Sequence, residues 1–205
     1  MYFYLHKSPS WISKVFPKRI WHMDRSKKEL YLTFDDGPDP DVTPLILEIL
    51  SKYSAKVTFF QLGSKILKHP DLHKLCLEQG HVVGNHGYDH LDAWRVMPAT
   101  FGENVKKGKE VTQSDLYRPA YGRMPLFVKS KIVKDNIVVM WDVISGDFDK
   151  RIDATICRKI IIKHAQNGSI VVLHENEKSK KKVLSLLPEI LHYYLNKGFE
   201  FKAIE

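Results

Sequence analysis

The sequence predicts an α/β fold built on a parallel sheet, and three observations support this class. Apolar runs rich in β-branched and aromatic residues alternate with helix-type patterns along the chain, which is typical of repeated βα units. The runs KVTFF, NIVVMW and SIVVL are apolar at nearly every position, as expected for parallel strands that are buried on both faces. About seven such units follow one another, which suits either a closed barrel or an open doubly wound sheet.

The elements follow each other in a regular order. Thr43 precedes a stripe of leucine and isoleucine and is expected to cap the helix there, with Pro44 in its first turn. Strands are predicted at 30–34, 56–61, 81–84, 116–118, 137–142, 169–173 and 199–203. Helices are predicted at 43–53, 64–79, 98–113, 125–135, 153–165 and 181–195.

Length and composition bound the class of protein. A chain of 205 residues with 43% hydrophobic and 27% charged residues is sized for one globular domain, which we place at 30–205, with the segment 1–29 wrapping its outside. No apolar run approaches the roughly 20 residues of a membrane-spanning helix, and no secretory leader is recognisable, so we expect a cytoplasmic protein. The net charge is +8, but its lysines are dispersed and no nucleic-acid-binding motif occurs. We therefore expect a monomer without a nucleic-acid partner.

Polar side chains collect where the predicted strands end. In α/β folds the carboxyl ends of parallel strands share one rim, and binding sites form there. The residues that follow successive strands are Asp35 and Asp36, His86 and His90, Arg118, Asp147, and His174. A domain with a purely structural role has no reason to gather such residues at one rim, so the pattern predicts a functional site.

Two adjacent aspartates together with an HxxxH pair indicate a metal site. Like carboxylates repel each other, and burial raises that cost unless a cation lies between them. One aspartate and two histidines form a common metal site that leaves positions for water or substrate. Neighbouring residues at a strand end point in different directions, so one aspartate would bind the ion and the other would act as a base. The residues alone leave open which aspartate takes which role.

A second HxxxH pair occurs at His69 and His73. It lies in a lysine-flanked helical stretch with no acidic strand end beside it, so it is predicted to be ordinary surface. His174 stands alone at the end of IVVL and suits a general acid, which Asp147 would orient and keep protonated. Arg118 would hold a catalytic carboxylate by a forked pair of hydrogen bonds.

The order of the motifs resembles the polysaccharide deacetylase family, also called carbohydrate esterase family 4. The motifs are TFDDGP at 33–38, HGYDH at 86–90, RPAYG at 118–122, DF at 147–148 and IVVLH at 170–174. The resemblance implies a distorted (β/α) barrel, often with seven strands, over a catalytic domain at 30–205. It also implies a hydrolase of linear amides that removes N-acetyl groups from N-acetylglucosamine-containing poly- or oligosaccharides, by attack of metal-bound water on the acetamide.

The resemblance assigns a role to each site residue. It implies one divalent metal ion, usually Zn²⁺, with Co²⁺ and Ni²⁺ as alternatives. The metal ligands would be Asp36, His86 and His90. Asp35 would be the base, positioned by Arg118, and His174 the acid, tuned by Asp147. The backbone N–H of Tyr121 would stabilise the oxyanion beside the metal, and the substrate-binding residues would be Tyr121, Pro119, Phe148 and Val172.

Four residues depart from the family pattern. Gly87 stands where serine or threonine is usual, Ala120 replaces proline, Phe148 replaces tryptophan and Val172 replaces leucine. The loop at Gly87 must then be held without a hydroxyl, and the acetyl pocket keeps an apolar wall of smaller area.

Two other functions fit part of the sequence. Two histidines and one carboxylate also describe the iron site of non-haem oxygenases, but such enzymes need neither Asp35 nor His174. A non-catalytic carbohydrate-binding relative would keep the barrel for recognition alone.

Overall fold

The computed structural model describes residues 4–124, 132 and 134–205. Nine strands in this part of the chain join into one sheet, in which all pairings between strands are parallel. They are β1 Arg19–Ile20, β2 Glu29–Asp35, β3 Thr58–Gln61, β4 Val82–Asn85, β5 Leu116–Tyr117, β6 Ile137–Val139, β7 Val143–Ile144, β8 Ser169–His174 and β9 Glu200–Phe201. The order across the sheet is β1-β6-β5-β4-β3-β2-β8-β7, and β9 pairs with the start of β2.

The sheet curls because opposite ends of this order are joined by a very short connection. β6 and β7 lie six positions apart in the order, yet only residues 140–142 separate them in the chain. In a flat sheet six strand spacings would amount to about 29 Å, whereas four extended residue steps reach at most about 14 Å. An open flat sheet is therefore excluded, and the predicted α/β class with a distorted barrel is confirmed.

Two differences raise the strand number above the predicted seven. The strand predicted at 137–142 is wrong in its extent, because β6 ends at Val139. A separate strand, β7, begins at Val143, just beyond the predicted range, and the two strands pair with different neighbours. Between these two strands, at residues 140–142, the chain crosses from one end of the order to the other. The second addition is β1, which lies in the segment 1–29 and pairs with β6.

The helices lie where the periodicity predicts them, with local exceptions. The helix predicted at 64–79 is broken at His69, because the residue before a proline is driven out of helical geometry by Pro70. Thr43 is the first residue of its helix rather than its cap, which is Val42. The helix predicted at 125–135 falls largely outside the described residues. The described helices are α1 Ile12–Val15, α2 Thr43–Lys52, α3 Gly63–Lys68, α4 Pro70–Glu78, α5 Pro98–Thr112, α6 Ala154–His164 and α7 Lys180–Leu195.

Alternation along β2 decides which side chains face the barrel interior. Leu30, Leu32 and Phe34 pack outward into the main core beneath α2, α6 and α7. Tyr31 belongs to the inner cluster with Phe60 and Ile170, so the period of two places Thr33 and Asp35 on the inner face as well. The inner-face residues at the carboxyl end of β2 therefore lie at the rim where the strands end.

The register of the β2–β8 pairing brings inner-face residues of the two strands side by side. Asp35 lies opposite His174, and Thr33 lies opposite Val172, so all four side chains share the inner face.

Within the described part of the chain, no helix is both long and apolar enough to cross a lipid bilayer.

Candidate active site

Asp36, His86 and His90 converge at the rim of strand ends. Asp36 follows β2 directly and His86 follows β4 directly. The Nε2 atoms of His86 and His90 lie 3.5 Å and 3.2 Å from Oδ1 of Asp36, and one ligand atom from each residue lies within 4.8 Å of the others. Among the described residues this is the single such group of histidine, cysteine or acidic side chains.

The chemistry of this group fits a divalent cation. Oδ1 of Asp36 is buried and accepts no hydrogen bond from the described residues. Nδ1 of His86 donates to the carbonyl of Arg118 at 2.8 Å, which leaves the Nε2 lone pair free for an ion. Burial, with a smaller contribution from the neighbouring His86, lowers the pKa of His90 to about 4, so His90 is neutral near pH 7. Two imidazole nitrogens facing an unpaired carboxylate oxygen are a suitable donor set.

The charge of Asp36 is set by two opposing effects. Burial by itself would raise its pKa, but the imidazoles of His86, His174 and His90 outweigh burial and hold the pKa of Asp36 below its usual range. The carboxylate is therefore ionised at neutral pH, as a metal ligand must be.

Asn176 holds the other oxygen of Asp36 and was missed by sequence reasoning. Its Nδ2 donates to Oδ2 of Asp36 at 2.8 Å, which turns Oδ1 toward the two histidines. Asp36 itself has a positive φ of 79°, a conformation that aspartate tolerates better than most residues. The signal in the sequence is only proximity, since Asn176 lies two residues beyond the predicted acid.

We expect Asn176→Ala to weaken metal binding by about 10–100-fold, because ligands that lose an outer-shell hydrogen bond lose orientation. Equilibrium titration of the metal-free protein with Zn²⁺ measures this. Asn196→Ala is the matched control, since Asn196 pairs with His192 at an exposed helix end. Unchanged affinity in the Asn176 variant would contradict the positioning role.

Asp35 is buried beside a fully buried arginine. Nη1 of Arg118 donates to Oδ1 of Asp35 at 2.7 Å and to Oγ1 of Thr33 at 2.6 Å. Nη2 donates to the carbonyl of Met140 and Nε to that of Val139. The predicted forked pair is therefore wrong, because the neighbouring backbone carbonyls occupy the other guanidinium donors. One charge-assisted bond still fixes the Asp35 carboxylate.

His174 is held by Asp147 through two hydrogen bonds. Nδ1 of His174 donates to Oδ1 of Asp147, and the backbone N–H of His174 donates to Oδ2, both at 2.7 Å. Burial would lower the pKa of His174, but the Asp147 carboxylate, with smaller contributions from Asp36 and Asp35, raises it to about 9. His174 is thus protonated at neutral pH and can act as a proton donor.

Phe148 and Val172 both lie near the predicted acid, His174. The Phe148 ring packs edge-on against His174 at 5.1 Å, and Tyr4 packs against the outer side of Phe148 at 4.9 Å. Tyr4 thereby adds a second aromatic ring to the apolar wall beside His174. Val172 is fully buried and lies one layer below His174 on the inner face.

The loop after β5 places Tyr121 beside the metal site. Tyr121 has a positive φ of 57°, and its ring packs edge-on against His90 at 4.5 Å. Its backbone N–H makes no hydrogen bond with another described residue, so it is available to a ligand. Backbone bonds from Gly122 to Pro119 and from Arg123 to Ala120 brace the loop without a proline at position 120.

Asn104 explains the glycine at position 87. A Cβ on Gly87 would lie 2.6 Å from Nδ2 of Asn104. That side chain, from α5, accepts from the N–H of Asp89 and donates to its carbonyl at 2.8 Å and 2.9 Å. Asn85 Oδ1 accepts from the N–H of Gly87. Two asparagines thus hold the histidine loop, which has no hydroxyl side chain at position 87.

Glu175 is a second residue that sequence reasoning missed. It is fully buried behind the aspartate turn, accepts a hydrogen bond from Thr43, and its Oε2 has no partner among the described residues. A Cβ on Gly37 would overlap this carboxyl group, so only glycine fits there. Burial raises the pKa of Glu175 to about 8, which means that it is largely protonated at pH 7.

Glu175 predicts a pH dependence of stability. A carboxyl group whose folded pKa is raised stabilises the fold fully below its unfolded value, about 4.5, and loses that contribution as the pH rises through about 8. Between these values the free energy of unfolding of the native protein should fall relative to that of Glu175→Gln, by up to about 1.4 kcal/mol per pH unit. Urea unfolding from pH 5 to 8 measures this, and parallel curves would contradict it.

The second HxxxH pair takes no part in the site. His69 and His73 lie at the junction of α3 and α4, and Nδ1 of His73 pairs with Oε1 of Gln61 at 2.8 Å. No third ligand joins them among the described residues. The two HxxxH pairs therefore share a spacing in the sequence, but only His86 and His90 lie beside an aspartate at the strand ends.

The fold and the site define a class of protein, a curled α/β barrel that carries at its strand ends a three-residue group able to hold a metal ion. The family model described as polysaccharide deacetylase matches residues 22–137, more than half of the chain. The chain belongs to the polysaccharide deacetylase family, so the resemblance read from its motifs is confirmed.

Individual proteins show the same relationship. The peptidoglycan-N-acetylglucosamine deacetylase PgdA of Listeria monocytogenes is 33% identical over 185 residues, which cover 88% of this chain and 39% of PgdA. The chain therefore spans about two fifths of the length of that relative. A solved peptidoglycan N-acetylglucosamine deacetylase, in complex with 4-naphthalen-1-yl-N-oxidanyl-benzamide, superposes with a TM-score of 0.86 at 28% identity and covers 96% of this chain and 95% of its own.

A third relative limits what the fold alone implies. A CE4 family pseudoenzyme from Bacillus anthracis superposes with a TM-score of 0.79 at 23% identity, covering 91% of this chain and 67% of its own. At this identity the likeness concerns the fold alone. Activity therefore has to be argued from the site residues of this chain.

Proposed function

We propose that this protein is a metal-dependent N-deacetylase acting on carbohydrate that contains N-acetylglucosamine. The observation that carries the proposal is the position of Asp35 and His174. A buried carboxylate and a protonated imidazole lie opposite each other in register on the inner face, next to the Asp36, His86 and His90 group. A proton acceptor and a proton donor beside a metal site match what amide hydrolysis needs.

Each step of the reaction has a residue that suits it. A divalent ion held by Asp36, His86 and His90 would lower the pKa of water and polarise the acetamide carbonyl. Asp35, fixed by Arg118, accepts the proton of the attacking water. The backbone N–H of Tyr121 donates to the developing oxyanion. His174 then gives its proton to the departing amine, so that acetate and a free amino sugar result.

The identity of the metal is the finer part of the proposal. A site of two imidazoles and one carboxylate is typical of Zn²⁺ in hydrolases, and Co²⁺ or Ni²⁺ binds similar donors. We propose Zn²⁺ as the native ion. A non-haem iron site is disfavoured because such sites typically lie in antiparallel β-barrels, whereas the strand pairings here are all parallel. An oxygenase would also need neither Asp35 nor His174.

Names of the relatives suggest where to look for the substrate. Two of the relatives, PgdA and the solved protein with a TM-score of 0.86, are named peptidoglycan N-acetylglucosamine deacetylases. We propose an N-acetylated glycan of this kind as the substrate of the present chain. The test is a screen for acetate release from N-acetylglucosamine oligomers, peptidoglycan and acetylated xylan, each with zinc, cobalt or nickel. Metal-dependent release from the first two is expected, whereas saccharide binding without any release would favour a non-catalytic relative.

The Asp147–His174 pair predicts a pH effect. Asp147→Asn removes the main influence that raises the pKa of His174, so His174 should lose its proton at lower pH. The alkaline limb of the activity profile should then move toward the ordinary histidine value of about 6.5, and activity at pH 8 should fall. Acetate release measured from pH 5 to 10 gives both limbs.

Ser145→Ala is a control for local packing, because Ser145 also contacts Asp147 but carries no charge. Its alkaline limb should stay in place. An unshifted alkaline limb in Asp147→Asn would contradict the assignment of His174 as the acid.

A further inference from the structure

Trp94 is the most exposed large aromatic side chain among the described residues, at 71%. It follows His90 by four residues, in the loop that leads to α5. Its neighbours Ala93 and Val96 pack into an apolar cluster, so the loop is anchored while the indole faces solvent. Burial of an aromatic ring removes roughly 150–250 Å² from water, so the exposed indole offers a large apolar area to a ligand.

The exposed indole is held in place. Asp92 accepts the backbone N–H of Trp94 at 3.0 Å through Oδ1, and it accepts Nη1 of Arg123 at 2.5 Å through Oδ2. The guanidinium carbon of Arg123 lies 4.1 Å from the centre of the Trp94 ring, a cation–π contact. One carboxylate thus fixes both partners, and a fixed surface loses little entropy when it binds a ligand.

The same arginine connects Trp94 to the metal site. Its guanidinium carbon lies 5.7 Å from the ring centre of Tyr121, and the Tyr121 ring packs edge-on against the metal-site residue His90. Tyr121 is itself 58% exposed. Tyr121, Arg123 and Trp94 therefore form a continuous surface, here called the aromatic shelf, that leads outward from the site.

We propose that the aromatic shelf binds a second sugar unit of the glycan, next to the unit whose acetyl group is removed; this inference rests on the proposed function. A pyranose ring presents C–H groups on its faces and hydroxyl groups around its rim. The indole face of Trp94 that lies on the side opposite to Arg123 matches such a face, while Arg123 offers N–H donors to hydroxyl oxygens. The enzyme should therefore prefer N-acetylglucosamine oligomers to the monosaccharide.

The test compares two substrates and two tryptophans. Acetate release is measured with Zn²⁺ on N-acetylglucosamine and on its tetramer, for the native protein, Trp94→Ala, Trp94→Phe and Trp11→Ala. Trp11 is the matched control, because it is also exposed, at 59%, but lies next to α1 as the residue before its first turn. Trp94→Ala should raise KM for the tetramer about tenfold with kcat retained. The monosaccharide should be unaffected, Trp94→Phe should recover part of the loss, and Trp11→Ala should change neither substrate.

A binding measurement separates this inference from the proposed function. The tetramer is titrated into Asp35→Asn protein, with and without Trp94→Ala, and about tenfold weaker binding is expected when Trp94 is removed. If the native protein released no acetate at all, the proposed function would fail, yet this titration would still decide the role of the shelf. Equal losses on both substrates, or tetramer affinity unchanged by Trp94→Ala, would overturn the inference.

Discussion

Asp35→Asn should lower the rate of acetate release by about 10²–10⁴-fold, the usual contribution of a positioned proton acceptor. Asparagine has nearly the same shape as aspartate and can still accept the hydrogen bond from Arg118, so the fold and the metal site should persist. What is lost is the ability to take a proton. The variant should therefore bind Zn²⁺ with the native affinity while its kcat falls.

Single-turnover acetate release and metal titration of the same sample measure both quantities. Asp41→Asn is the control, since Asp41 lies in the exposed turn before α2 and its change should leave both values alone. Native turnover in the Asp35 variant would show that another group accepts the proton. A joint loss of metal and turnover would show that Asp35 is a ligand rather than a base.

His86→Ala should reduce metal affinity by more than the roughly 10–100-fold that loss of an outer-shell contact costs, because it removes a ligand outright. Acetate release should fall in parallel at limiting metal. Truncation also leaves the carbonyl of Arg118 without its donor, so the thermal midpoint must be recorded beside the affinity.

The chain supplies a matched control for this variant. His69 has the same HxxxH spacing but lies at the end of α3, away from the acidic rim, so His69→Ala should retain both affinity and activity. Equal losses in the two variants would mean that general destabilisation, rather than coordination, explains the effect of His86→Ala.

Much of the fold was predictable because the parallel strands are marked in the sequence by apolar runs. Since the carboxyl ends of such strands share a rim, the aspartates after β2, the histidines after β4 and His174 on β8 could be placed together from the sequence alone. The curling of the sheet was harder to predict from the sequence. It depends on the short connection at residues 140–142, where the apolar residues Met140 and Trp141 continue the pattern of β6 beyond the end of that strand.

Residues that support the site were harder to predict, because they act through contacts distant in sequence or through irregular backbone. Asn104 reaches the histidine loop from α5, fifteen residues after Asp89, and no periodic pattern marks it. Asn176 and Glu175 follow β8 where the chain has no regular geometry. The forked contact expected of Arg118 failed for a related reason, since the carbonyls that occupy its other donors belong to β6 and the residue after it.

Activity should require one ion, bound by Asp36, His86 and His90. The most direct measurement is a titration of metal-free protein with Zn²⁺ in which bound metal and acetate release from the N-acetylglucosamine tetramer are followed together. Release should rise in proportion to bound metal and level off at one equivalent per chain. Full acetate release from the metal-free protein, or from Asp36→Ala with His86→Ala in the same chain, would contradict the account.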